Sequence, residues 1–299
     1  MDQASKLRSA ILKKNSYTYS DGKDKQQNSE NEPRVICVSS GKGGVGKSNF
    51  TLNLALALRK KGNKVLIIDA DLGLANIEIL LGISPKLGLI DLVKDDINIE
   101  DIIIEGPLGL KIISGGAGIS DIVDLPLYKL NKILNNIAYL KNYADFILID
   151  TGAGISKSVM SFISSSEEII VVTTPEPTSI ADAYALIKVI NKESSSKTIN
   201  LVINKADTKQ EAEITFNKLS LVAKKFLYKN LECLGYINND KNVQVCVKKQ
   251  TPFYLGSPNS LASQNIDIIC NKLLGKKEKD KVFTSFVKKL SNLFFSNRG

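Results

Sequence analysis

The chain has 299 residues, 43% of them hydrophobic and 24% charged, which suits one large α/β domain with tails, or two small domains, and a core that needs no disulfides. It contains no histidine, which excludes His-dependent catalysis and His-ligated metal sites, and its four cysteines, Cys37, Cys233, Cys246 and Cys270, show no C-x-x-C spacing; with no signal peptide visible they read as reduced cytosolic thiols. The net charge is +9, but residues 271–299 alone hold eight basic and two acidic side chains, a pattern that suits an anionic surface at the tail and argues against a nucleic-acid-binding body.

Residues 2–14 can form a short helix with Ala4, Leu7 and Ile11 on one face, marginal on its own in water. Residues 15–33 are Ser, Asn, Gln, Asp, Lys and Gly without apolar periodicity, a flexible linker. A docking helix on a tether and a leader without a role both fit this beginning. Residues 35–38 then read as a short buried strand, and residues 51–58, rich in Leu and Ala, as a helix. Between them stands Ser40-Gly41-Lys42-Gly43-Gly44-Val45-Gly46-Lys47-Ser48, which fits the phosphate-cradling loop G-x-x-x-x-G-K-[ST] in its proper strand–loop–helix setting. Backbone N–H groups there turn toward phosphate oxygens, and the following helix adds positive potential. Lys47 is placed for the β- and γ-phosphates and Ser48 for Mg²⁺.

Residues 65–68 are wholly apolar, hence a buried parallel strand. It ends in Asp69-Ala70-Asp71-Leu72-Gly73, two carboxylates on the side where open α/β sheets bind ligands. Residues 102–104 and 110–113 are further strand candidates, broken by Gly106-Pro107, and 124–141 reads as a helix with an apolar core stripe. Phe146-Ile147-Leu148-Ile149-Asp150 is the pattern in which a carboxylate at a strand end holds Mg²⁺. Thr151-Gly152-Ala153-Gly154 follows as a pliant loop. Strand candidates at 168–173, 199–203 and 233–237 alternate with helices through 190, over 209–228, and near 241–248 and 258–274. The alternation predicts a doubly wound, mostly parallel sheet flanked by helices.

The tail carries a second pattern. Val282, Phe283, Phe286, Val287, Leu290, Leu293 and Phe294 fall on one helical face, with Lys281, Lys288 and Lys289 largely on the other. Residues 275–280 form a polar hinge before it. An aromatic face opposite lysines fits a helix lying on an anionic bilayer; an ordinary terminal helix docked on the core shows the same periodicity.

Lys42 is the unusual residue of the loop, a second lysine near its start that could reach a neighbouring subunit's nucleotide. With Lys42–Ser48, Asp69-Ala70-Asp71 and Asp150–Gly154, the chain resembles the deviant-Walker MinD/ParA ATPases. Within them it is most similar to the FlhG (YlxH, FleN) group, on Asp2-Gln3-Ala4-Ser5-Lys6-Leu7-Arg8, on residues 69–76 and on residues 173–179. The resemblance implies a P-loop NTPase fold over 34–274 and ATP with Mg²⁺ as cofactors. Gly41, Lys42, Gly43, Gly44, Val45, Gly46, Lys47, Ser48 and Asn49 would bind ATP, with Asn204 and the loop at 237–240 on the adenine. Ser48, Asp69 and Asp150 would serve the metal. Asp71 would position the attacking water, and Lys42 would cross an ATP-sandwiched homodimer.

Also implied are a role in flagellar number and placement, an activator helix at 1–14 (Gln3, Leu7, Arg8) that stimulates the FlhF GTPase, flagellar switch (C-ring) proteins as partners, and a membrane-targeting helix at 281–299. The chain would be cytoplasmic and peripheral on the inner face of the cell membrane in its ATP state. Two alternatives stay open: a ParA-type DNA- or cargo-partitioning ATPase, and a GTP-using switch, since Asn204-Lys205-Ala206-Asp207 spells the guanine-reading N-K-x-D.

Overall fold

The computed structural model describes residues 32–71, 76–115, 127–275 and 282–296. The expected helix at 1–14, with Gln3, Leu7 and Arg8, lies outside them. So do most of the linker and hinge.

Eight strands form one sheet: β1 (Arg34–Ser40), β2 (Val65–Ala70), β3 (Ile103–Glu105), β4 (Lys111–Ser114), β5 (Phe146–Ala153), β6 (Glu168–Thr173), β7 (Thr198–Ala206) and β8 (Glu232–Asn238). Their order is β3-β4-β2-β5-β1-β6-β7-β8. All neighbours run parallel except β3, which pairs antiparallel with β4. The cause is local: Gly106, Pro107 and the left-handed Leu108 and Gly109 fold the chain straight back on itself, leaving no room for a crossover helix.

The helices are α1 (Lys47–Lys60), α2 (Asn76–Leu81), α3 (Leu127–Ala138), α4 (Lys157–Ser165), α5 (Pro177–Glu193), α6 (Lys209–Leu227), α7 (Lys241–Lys248), α8 (Leu261–Leu274) and α9 (Val282–Ser296), with single helical turns between them. Their starts follow elementary capping rules. Pro177 opens α5, where its missing N–H costs nothing, and the Thr208 hydroxyl accepts the Glu211 N–H at the head of α6.

Strand alternation builds two cores. Val35 and Cys37 of β1 face one side, together with side chains of α3, α4, α5 and α6. Ile36 and Val38 face the other, against α1 and α8. Since both faces are covered, the central strands are apolar throughout, which is why they read as continuous runs. Next to β1 the order turns, with β5 on one side and β6 on the other. The loop after β1 therefore opens at a topological switch point, on the carboxyl edge of the sheet.

Of the two readings of the tail helix, the structure shows the docked one. The apolar face of α9 is seated on the body: Phe283, Phe286, Leu290 and Phe294 are buried in the first core, with Val287 packed against it. The helix lies on α4, α3 and β1. Lys289 pairs with Glu167, Thr284 pairs with Glu32, and Lys288 stays exposed and Leu293 half-buried. The physical reason is that four large apolar side chains gain about 1.5–3 kcal/mol each on leaving water, and the body offers them an apolar seat. No helix among the described residues is long and apolar enough to cross a membrane.

Candidate active site

The site is built from the ends of three neighbouring strands, β2, β5 and β1, and from the loop that follows β1. β1 delivers the loop, β2 ends at Asp69 and Ala70, and β5 carries Asp150, which stands level with Asp69 in the β2–β5 register. α1 begins at Lys47 itself, so Lys47 and Ser48 form its first turn. Gly46 precedes it with φ 89°, in the left-handed region. The left-handed backbone calls for glycine there, and a Cβ would in addition meet Asn204 Nδ2 at 2.4 Å and displace that side chain.

At the floor, the Lys47 ammonium donates to Asp150 Oδ1 at 2.9 Å. Lys47 is 6% exposed and Asp150 0%, so this is a buried ion pair whose members depend on each other. Thr51, one turn along α1, donates to the same oxygen at 2.9 Å, and Lys47 also reaches the Ser48 hydroxyl at 3.3 Å. The other Asp150 oxygen, Oδ2, is buried and accepts no hydrogen bond. Such an oxygen calls for a partner. Carboxylate and hydroxyl oxygens beside a phosphate loop are the donor set a hard divalent cation takes, so the residues present fit Mg²⁺.

Asp69 is buried next to Asp150 and accepts the N–H groups of Asp71 and Ile77, both at 3.1 Å. Burial, then the charge of Asp150, pushes its carboxyl up to about 7; the two N–H groups and Lys47 pull the other way. Asp71 sits on the rim, its Oδ2 accepting from Asn76 Nδ2 at 3.1 Å.

Lys42 stands apart from this floor. Its ammonium lies 3.1 Å from Glu176 Oε2 and 3.0 Å from Thr178 Oγ1, on the turn that opens α5. Asn49 and Asn204 line a second recess, a cavity of about 120 Å³ shared with Gly46, Phe50, Lys205, Phe253 and the loop after β8. Asp207 does not line it; its Oδ1 accepts from Asn239 Nδ2 at 3.0 Å, so the acid of N-K-x-D is turned to a neighbouring loop.

Lys47, Ser48, Asp69 and Asp150 are thus brought together, with Asp71 on the rim. Lys42 is held by its own chain, and α9 lies on the α3–α4 side of the body. The sequence reading missed Thr51, Glu176 and Thr178 as neighbours of the two lysines. Thr51 had a signal, four residues after Lys47 on one helical face; Glu176 and Thr178 had none beyond the turn that holds them.

A family model described as ParA, NUBPL iron-transfer P-loop NTPase, matches residues 31–274. The chain is 38% identical over 249 residues to the antiactivator FleN of Pseudomonas aeruginosa, across 83% of this chain and 89% of FleN. It is 34% identical over 279 residues to the flagellum site-determining protein YlxH of Helicobacter pylori, across 93% and 92% of the two chains. Among solved structures, the septum site-determining protein MinD of Pyrococcus horikoshii, complexed with Mg-ADP, aligns with a TM-score of 0.64 at 27% identity, covering 83% of this chain and 99% of that one. With its loop, its strand-end carboxylates and its sheet order, the chain belongs to the MinD/ParA family of P-loop ATPases, in the FleN/YlxH branch.

Proposed function

We propose that this chain is a nucleotide-driven switch for flagellar number and placement. It binds Mg-ATP, pairs with a second copy in that state, hydrolyses ATP slowly and only as the pair, and associates peripherally with an anionic membrane through α9. Residues 2–8 would stimulate the FlhF GTPase, and flagellar switch (C-ring) proteins would be its further partners. The observation that supports the reading best is the buried Lys47–Asp150 pair with its unmet second oxygen, in a chain whose relatives are named for flagellar control.

Bound Mg-ATP would supply the phosphoanhydride to be cleaved and the cation that gathers its oxygens. The chain's own residues do the rest. Lys47 would turn from Asp150 to the phosphate oxygens, and Ser48, Asp69 and Asp150 would be the residues that hold the cation. Asp71, on the rim, orients the attacking water. Asn204 and the loop after β8 hold the adenine. Lys42 exchanges Glu176 for the partner copy's phosphates. That exchange is cheap: the side chains are 40% and 64% exposed, and an ion pair so open to water is worth no more than about 1 kcal/mol.

Oligomeric state and sedimentation with anionic liposomes, measured with ADP and with ATP, test this reading. The expected result is a monomer with ADP, a membrane-binding dimer with ATP, and a Lys42→Ala variant that binds ATP but stays monomeric. A wild-type chain that remains monomeric at saturating ATP would overturn it.

A further inference from the structure

β7 ends in two residues that reach back to the phosphate loop. Asn204 Nδ2 donates to the Val45 carbonyl at 2.7 Å, and Lys205 Nζ donates to the Gly44 carbonyl at 2.8 Å. Successive side chains of a strand point to opposite faces, so adjacent residues do not ordinarily grip the same loop. The backbone shows how these two manage it. Lys205 has φ 55°, in the left-handed region, where a residue with a Cβ carries a cost of about 1 kcal/mol or more. The Asn204 Oδ1 accepts the Lys205 N–H at 2.9 Å and pins this bend. The bend cancels the alternation and brings both side chains to one loop.

What the grip does follows from the peptide unit. In a trans peptide the carbonyl and the following N–H point in opposite directions. Holding the oxygens of Gly44 and Val45 toward β7 turns the N–H groups of Val45 and Gly46 away from it. Those are donors of the loop that cradles phosphate.

We propose that Lys205, acting with Asn204, is a positioning residue for phosphate binding: it holds two successive carbonyls of the loop outward so that the N–H groups behind them face the phosphates. Because both residues also line the recess beside the loop, a base seated there and the phosphate cradle share one support. The backbone strain at Lys205 has its counterpart in this role. The proposal rests on the reading of the loop as a nucleotide site and adds a residue to it.

The test compares Lys205→Ala, Lys205→Gly and Lys205→Arg in the full chain, titrated with Mg-ADP and Mg-ATP and assayed for hydrolysis. Lys205→Ala is expected to weaken both nucleotides about five- to tenfold, the scale of one ordinary hydrogen bond. KM rises by that factor while kcat stays within about twofold. Lys205→Gly relieves the left-handed backbone, so it melts no lower than wild type without nucleotide and still binds weakly. Lys205→Arg, which keeps a donor, recovers most of the affinity. Unchanged nucleotide affinity in Lys205→Ala would overturn the proposal. So would a loss of affinity that tracks a fall in melting temperature across the three variants. A wild-type chain that binds neither nucleotide would sink the nucleotide site itself, a different and distinguishable failure.

Discussion

Asp69 shows how a single residue carries both cost and function. Its carboxyl is raised from 3.8 to about 7 by burial and by the charge of Asp150. The folded chain therefore holds a proton there that the unfolded chain has lost, over the window between those two values. The contribution of Asp69 to stability is full below about 3.8 and drains away as the pH rises through 7. For the nucleotide-free protein, this group should lower unfolding stability by on the order of 2 kcal/mol between about pH 5 and pH 8. Urea unfolding at several pH values in that range checks it: Asp69→Asn is expected to flatten the slope, and an equally steep slope in the variant would remove the cause. Lys197 titrates in the other direction but above this window, since burial lowers it to about 8. The residue scale is also where sequence reading was strongest and where it stopped. Lys47, Ser48, Asp69 and Asp150 were legible because the phosphate loop and the strand-end acids are local patterns with a mechanism. The Lys47–Asp150 pair spans 103 positions, the Lys42–Glu176 pair 134, and no local pattern encodes which distant side chain a lysine meets.

At the scale of elements, the loop is placed by the helix it touches. Gly41 lies against the backbone of α5, so closely that a Cβ would stand 2.2 Å from the Asp182 carbonyl carbon and oxygen. Backbone atoms cannot step aside as a flexible side chain can. Gly41→Ala must therefore push the start of the loop away from α5, and with it Lys42, whose partners sit at the head of that same helix. The expected cost is about 2 kcal/mol or more, read as a lower urea midpoint without nucleotide, together with weaker ATP binding. A fully stable variant would show that the loop does not bear on α5. Element boundaries show why sequence reading blurs here. The sequence predicts a helix from 51, yet α1 starts at Lys47, since the left-handed Gly46 sets its head. β5 and β7 run on to Ala153 and Ala206, through stretches whose small and polar residues read as loop. The pairing of these strands with their neighbours outweighs the local preference of the added residues.

For the molecule as a whole, α9 poses the question that periodicity leaves open. A row of Val, Phe and Leu at helical spacing states that one face avoids water; it does not state what covers that face. A bilayer and the α3–α4 side of the body are both apolar, so the same pattern serves either. In the structure the body wins, with Phe286 1% exposed and Lys289 paired to Glu167. Membrane contact by this face then requires α9 to leave its seat, and the burial it gives up, about 1.5–3 kcal/mol for each large side chain, must be recovered in the lipid. Docking and the proposed membrane binding would thus compete for one surface, and two variants separate them. Phe286→Glu places a charge where either partner needs an apolar group, so it should lower the unfolding stability of the full chain by about 3 kcal/mol and also abolish liposome binding. Glu167→Gln loosens the docked helix without changing α9 itself, so it should raise liposome binding in the absence of ATP while nucleotide affinity stays the same. If Phe286→Glu lost liposome binding with no loss of stability, the face would not be seated on the body in solution. If Glu167→Gln bound liposomes no better than wild type, the Lys289–Glu167 pair would not restrain the helix, leaving apolar packing alone to hold it.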